Sequence, residues 1–197
     1  MERLYDRQSA DVGLRGFGAR RWVVLYLTAF FVMTVQATIG VQAQSLCINE
    51  IMVANVDLFV DPSYNYGGWV EVYNPTSDVL SLNNYFLRHT DAEGKVKQSK
   101  LTTGHGTVAP LGYAVLWFDH NSSDGYYGSY AGTQIPFKLD ADGGLLELLD
   151  SKGHVVDAVC YPKCISRCSW MRQTDGDATF GWTSRATPGA SNNASPI

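Results

Sequence analysis

From Leu46 onward the apolar residues never settle into a helical period. They come in short runs separated by turn residues, and that pattern constrains the fold more than any other feature. The runs are Cys47–Val53, Trp69–Tyr73, Val79–Arg88, Lys95–Leu101, Gly112–Phe118, Gln134–Leu139, Gly144–Leu149 and Val155–Tyr161. Asn74-Pro75, Asp91–Gly94, Ala109–Gly112, Asp140–Gly144 and Asp150–Gly153 stand between them. Glycine supplies positive φ, proline presets φ, and Asn and Asp bond to nearby backbone, so each separator is a turn. About eight or nine strands at this spacing predict an all-β sandwich or barrel. The Thr/Ser/Pro/Gly/Asn-rich residues after Trp182 are expected to be irregular, and no internal repeat is present.

The runs also indicate which faces are covered. In Trp69-Val70-Glu71-Val72-Tyr73 the valines share one face, and Glu71 lies between aromatics on the other. Tyr113–Phe118 is apolar throughout, as expected of a central strand covered on both sides. Leu145-Leu146-Glu147-Leu148-Leu149 interrupts a similar run with one acid.

With 45% hydrophobic, 17% charged and 12% aromatic residues, disorder is excluded. The 197 residues suffice for one domain plus a leader. The leader is residues 1–43, where Arg20-Arg21 precedes the apolar stretch Trp22–Val35 and Val41-Gln42-Ala43 forms a small-residue exit. This pattern predicts a signal peptide cut after Ala43, and hence a secreted or cell-surface protein with no membrane span once the leader is removed. An uncleaved anchor over Trp22–Val41 is the rival, and Gln36 and the short apolar core count against it. Net charge is −4 overall, +2 in the leader and −6 in the body, an unfavourable balance for nucleic acid.

Several segments together resemble the lamin-tail domain family as it occurs in exported bacterial proteins. They are Ile48-Asn49-Glu50-Ile51, Trp69–Pro75, Leu80–Leu87, Pro110–Leu116, Phe137–Leu139 and Leu146–Asp157, then Ser169-Trp170, Arg172, Asp175-Gly176 and Thr187–Asn192. The sequence departs from the family's usual Gly-Trp at Asn84-Tyr85, and it adds the cysteine row Cys160–Cys168. The resemblance implies an immunoglobulin-like sandwich over residues 44–193, followed by an irregular tail at 194–197. It also implies a module for interaction or tethering with no known active site. In such proteins the domain often sits beside larger partners, so a neighbouring domain is expected either to be missing here or to belong to a separate protein.

Cys47, Cys160, Cys164 and Cys168 form an even set, which in an exported domain points to two disulfides with three possible pairings. Cys47–Cys160 and Cys164–Cys168 are the preferred ones. A zinc site from His154 and the cysteine row is the alternative, but it leaves Cys47 unexplained and lacks the paired short spacings of structural zinc. No metal or cofactor is therefore expected. The sequence has no G-x-S-x-G elbow, H-E-x-x-H helix or phosphate-binding glycine loop. Asp119-His120 is the nearest approach to a catalytic pair and reads as solvated.

Glu50 and Glu71 sit in strands where they could form a carboxylate pair with raised pKa. The reading preferred here is that both face solvent or bond neighbouring backbone. Asp140–Gly143 and Asp175–Asp177 look like fragments of calcium loops and read as Asp/Gly turns. Asn121-Ser122-Ser123 and Asn193-Ala194-Ser195 are glycosylation sequons.

Two long loops mix Tyr with Asn, Ser, Gly and Asp, the composition of binding paratopes. They bring Tyr64, Asn65 and Tyr66, and then Asn121, Asp124, Tyr126, Tyr127 and Tyr130, as candidate ligand-binding residues. Either these tyrosines bind a glycan or protein partner, or they lid the ends of the sandwich. If consecutive strands alternate direction, both loops share one rim with His89 and Asp91. The functional expectation is thus an exported non-catalytic binding or tethering module. The alternatives are a metal-dependent hydrolase using Asp119 and His120 with the Asp-rich turns, or a structural subunit of an envelope or coat.

Overall fold

The computed structural model describes residues 45–118 and 134–194. Among these residues the chain forms β1 (Cys47–Met52), β2 (Gly68–Tyr73), β3 (Leu80–Ser81), β4 (Phe86–Asp91), β5 (Val96–Lys100) and β6 (Thr107–Val108). There follow β7 (Tyr113–Phe118), β8 (Gln134–Ile135), β9 (Gly144–Leu149), β10 (Val155–Tyr161), β11 (Ser169–Arg172) and β12 (Phe180–Thr183). One sheet has the order β12-β11-β1-β2-β7-β8, a second the order β10-β9-β4-β5, and β3 pairs with β6. Ile48, Ile51, Val70, Val72 and Leu116 of the first sheet share one core with Leu87, Leu146, Leu148 and Val159 of the second. The molecule is an all-β sandwich. No helix among the described residues is long and apolar enough to cross a membrane.

Most predicted runs become strands, with local changes that have physical reasons. Val79–Arg88 is broken by a 3-10 turn at Leu82–Asn84, which drops Leu82 into the core. Gln134–Leu139 pairs only through Gln134 and Ile135, parallel to β7, before Phe137 and Leu139 turn inward. β11 and β12 extend the first sheet beyond the last predicted run, held by a ladder of Trp170 opposite Trp182 and Arg172 opposite Phe180. Residues 184–191 are irregular, and a 3-10 turn spans Asn192–Ala194.

Alternation on β2 places Val70 and Val72 in the core, with Glu71 on the opposite face as predicted. That opposite face is not solvent, because Trp69 and Glu71 are also fully buried. Trp69 lies against Phe59 and Trp117, and over Glu71 the cover is the chain after β12, whose residues Thr187–Asn192 cross the outer face of the first sheet as a strap. A bulge in β1 prepares this surface. Pairing with β2 slips between Ile48 and Glu50, leaving Asn49 as the extra residue, so that Asn49 and Glu50 both reach the outer face.

The two sheets are clamped at this bulge. The Ile48 N–H donates to Asp157 Oδ2 at 2.7 Å from β10, and the Ile48 carbonyl accepts from Arg172 Nε at 2.7 Å. Arg172 closes the loop with a buried ion pair to Asp157 at 2.8 Å while lying over the Phe180 ring.

Candidate functional site

The outer face of β1 and β2 carries a clasp of three carboxylates, Glu50 and Glu71 fully buried and Asp175 half-buried. Register sets Glu50 opposite Glu71, and the turn between β11 and β12 brings Asp175 beside them. Ser169 Oγ donates to Glu50, as do the Thr187 N–H at 3.1 Å and Thr187 Oγ1 at 3.2 Å. Glu71 accepts from Asn49 Nδ2 at 3.0 Å and from the Gly189 N–H at 2.6 Å. Asp175 accepts from Asn49 Nδ2 at 2.9 Å, the Asn192 N–H at 3.0 Å, Tyr113 OH at 2.7 Å and Ser191 Oγ. Asn192, itself fully buried, donates to the carbonyls of Asn49 and Arg172. Segments separated by more than a hundred residues thus meet at one point: Asn49-Glu50, Glu71, Asp175-Gly176 and Thr187–Asn192.

Of the two expected settings for Glu50 and Glu71, solvent is corrected by their full burial, while bonding to backbone is what Thr187 and Gly189 supply. Burial, only partly offset by Asn49 and the Gly189 N–H, pushes the Glu71 carboxyl up to about 8, with Glu50 and Asp175 adding to the rise. Burial also raises Glu50 against its bonds from Ser169 and Thr187. Burial pushes Asp175 up as well, but bonds from Ser191, Asn192, Asn49 and Tyr113 overcome it and hold that group below the usual carboxylate range. Each carboxylate oxygen of the clasp already accepts an N–H or O–H. Such a shell holds protein donors and leaves no oxygen open to a cation. This site fastens the strap.

The second candidate is the loop between β1 and β2. It presents Val56, Leu58 and Val60 at about half exposure beside Tyr66 at 51% and Tyr64 at 87%. Two buried polar residues hold it in shape. Asn55 accepts from the Phe59 N–H and donates to the Phe59 and Gly67 carbonyls. Asp61 accepts from the Ser63 and Asn65 N–H groups at 2.8 Å and from Gln134 Nε2 at 3.0 Å. Tyr64 is held at φ +65°, a left-handed conformation that a bulky residue adopts only where its surroundings impose it. Arg167, which pairs with Asp57, ties the loop to the segment before β11, and Ile165 of that segment is exposed as well.

Gly68 pairs with Phe118, and Phe118 with Ile135, so the β1–β2 loop and both residues flanking 119–133 lie at one end of the first sheet. Asn121, Asp124, Tyr126, Tyr127 and Tyr130 lie outside the described residues, as do Asp119, His120 and the leader with its cut after Ala43. The Asn65 side chain turns to the Ser63 carbonyl at 3.5 Å.

His89 is not a rim residue. It is fully buried, stacked on Tyr161, with its Nε2 2.8 Å from the Tyr161 hydroxyl. Gly144 makes room for it, since a Cβ there would lie 2.5 Å from His89 Nε2. Asp91, Glu93 and Asp140 bring carboxylate oxygens within 4.8 Å of one another, forming the one metal-compatible cluster among the described residues. Asp91 and Asp140 already cap their own turns through the Lys95 and Asp142 N–H groups.

The four cysteines are unbridged in this structure. Cys47 lies beside Tyr73 on the first sheet's outer face, and burial pushes its thiol up to about 11. Cys160 is exposed on β10, three residues beyond Asp157, where β10 meets Ile48. Neither preferred pairing, Cys47–Cys160 or Cys164–Cys168, is bridged in this structure. Cys164 and Cys168 flank the turn closed by the Cys168 N–H to the Ile165 carbonyl. His154, the proposed fourth zinc ligand, pairs with Asp150 at the other end of β10, so that alternative is not assembled.

A sequence model of the Lamin Tail Domain family matches residues 41–163. No curated protein matches the chain. The family match covers Glu50 and Glu71 and stops before Ser169, Asp175 and the strap that complete the clasp.

Proposed function

The chain belongs to the lamin tail domain family, an immunoglobulin-like family not known for catalysis, and from that premise we propose that it works outside the cytoplasm as a tethering module gripping a protein partner. The gripping surface is the β1–β2 loop, and the observation that carries this reading is its composition. Val56, Leu58 and Val60 stand exposed beside Tyr64 and Tyr66 on a loop already fixed by Asn55 and Asp61. A loop ordered before binding loses little entropy on binding, so its exposed apolar area converts efficiently into affinity. Tyrosine faces alone would suit a sugar ring. The three aliphatic side chains add nothing to polar hydroxyls, and they favour an apolar protein surface over a glycan.

Export is part of the proposal and rests on Arg20-Arg21, the apolar stretch Trp22–Val35 and Val41-Gln42-Ala43. In an oxidising compartment Cys164 and Cys168, which flank one turn, are the pair proposed to bridge. N-terminal sequencing and thiol titration of exported protein check both points.

The decisive experiment presents the purified domain and a folded Leu58→Ser/Tyr64→Ala variant to surface proteins of the host and to a glycan array. The expected result is a protein bound by the wild type and weakened roughly tenfold or more in the variant. Equal binding by both removes the loop from the proposal. Binding to glycans alone replaces the protein partner with a sugar. Self-association without any other ligand supports a structural subunit instead.

A further inference from the structure

The clasp has a property that its fastening role does not require. Glu50 lies opposite Glu71, Glu71 and Asp175 share the Asn49 Nδ2 donor, and among the described residues no lysine, arginine or histidine hydrogen-bonds to any of the three. The titratable and polar groups around Glu71 and Asp175 are neutral donors or further acids. β1 brings Asn49, Glu50 and the Cys47 thiol, β2 brings Tyr73, β7 brings Tyr113, and the β11–β12 turn brings Asp175. The strap contributes Thr187, Gly189, Ser191 and Asn192, none of them charged. Arg172, the buried arginine of the same sheet, is committed to the Ile48 carbonyl, Asp157 and the Asp177 carbonyl. Burial, with two acids near it and no cation bonded to it, holds the Glu71 carboxyl up at about 8, so the group retains a proton at neutral pH.

The strap, for its part, has little else to hold it. Ser184–Asn193 contains no apolar side chain larger than proline, and it pairs with no strand. Apart from Asn192 on two carbonyls, the Arg185 N–H on Thr183 and bonds within the strap itself, its hydrogen bonds to the sheet run through the carboxylates.

We infer that the strap is a latch released at alkaline pH: loss of the clasp's proton places like charges beneath Thr187–Asn192, and this segment lifts from the first sheet while the sandwich stays folded. Glu71, pushed up to about 8, puts the release in mildly alkaline solution. The latch is independent of the β1–β2 loop and of any partner bound there.

Arg185 is exposed just before the strap, and this gives a direct readout. Trypsin cleavage at Arg185-Ala186 is followed from pH 6.5 to 9 and normalised to a peptide carrying the same bond. The wild-type rate should rise roughly tenfold over this range, as one proton is lost. In Glu71→Gln, which copies the protonated acid, it should stay flat. A flat wild-type profile, or an equal rise in both proteins, overturns the inference. Amide exchange in the wild type guards against a variant that fails to fold. Protection at Gly189 and Asn192 should fall across the same range while that at Leu148 holds. Loss at all three together means global unfolding and also overturns it.

Discussion

Two glutamates occupy the middle of closely similar strand sequences. Glu71 stands in Trp69-Val70-Glu71-Val72-Tyr73 and Glu147 in Leu145-Leu146-Glu147-Leu148-Leu149, and both are buried. Their neighbours across the sheet decide everything else. Glu147 lies opposite Arg88, which meets it with Nε at 2.7 Å and Nη2 at 2.8 Å in a bidentate pair. That pair, against a smaller opposing effect of burial, holds Glu147 below the usual carboxylate range. Glu71 lies opposite Glu50, and burial drives it up to about 8. Burial raises both acids, and the cation opposite Glu147 reverses the outcome there while Glu50 adds to it at Glu71.

The largest way to break the comparison is to remove what substitutes for the missing arginine. Asn49 Nδ2 serves both Glu71 and Asp175, and its Oδ1 accepts from the Gly176 N–H. Asn49→Ala strands several buried groups at once, each costing about 1–3 kcal/mol. A loss of about 3 kcal/mol or more is expected in urea unfolding at pH 7. A loss under about 1 kcal/mol would mean that water replaces the side chain without penalty, and that the clasp is not a closed network.

A smaller test uses pH, where the two acids must pull in opposite directions. Glu71 has a raised folded-state pKa, so its contribution is complete below the unfolded value and is lost as pH rises through about 8. Glu147 is lowered, so its contribution is present above the unfolded value and is lost as pH falls through the folded one. Asp175 is lowered too and acts on the same acid side. Unfolding midpoints measured from pH 3 to 9 should therefore pass through a maximum. Glu71→Gln should flatten the alkaline side only, and Glu147→Gln should weaken the acid side only. An alkaline decline unchanged in Glu71→Gln would assign it to another group.

The two sites also differ in how much of them the sequence reveals. The sandwich was legible because turn chemistry is local: Asp91–Gly94, Asp140–Gly144 and Asp150–Gly153 lie at the predicted breaks. The alternation placing Val70 and Val72 inward and Glu71 outward was legible as well. What lies over the outward face was not, since the strap is more than a hundred residues away and has no apolar pattern. The bulge at Asn49 is equally hidden, because one residue slipping between two strands leaves no mark in either. β12 escaped notice because Phe180-Gly181-Trp182-Thr183 is short and carries a glycine, and it is stabilised by the Trp170 ladder across the sheet. Tyr64 and Tyr66 are marked by the composition of their loop, whereas the aliphatic residues beside them carry no local signal. Their exposure depends on Asn55 and Asp61 turning the loop outward, a feature of the folded chain.

The finest test addresses whether the arginine opposite Glu147 contributes much stability or merely prevents a penalty. The Arg88 side chain is 32% exposed and that of Glu147 11%, so the pair is reached by solvent from one side. Screening from that side limits a pair of this kind to about 1 kcal/mol, even with bidentate geometry. A double-mutant cycle of Arg88→Met and Glu147→Gln should give a coupling near that value, smaller in 0.5 M salt than at low ionic strength. Arg88→Met alone should cost more than the coupling, because it leaves Glu147 buried opposite a side chain that cannot compensate its charge. The same variant should then raise the Glu147 pKa and move its titration towards that of Glu71, as followed by carboxyl resonances in NMR. If Glu147 stays low after Arg88 is removed, burial rather than the cross-strand partner separates the two glutamates.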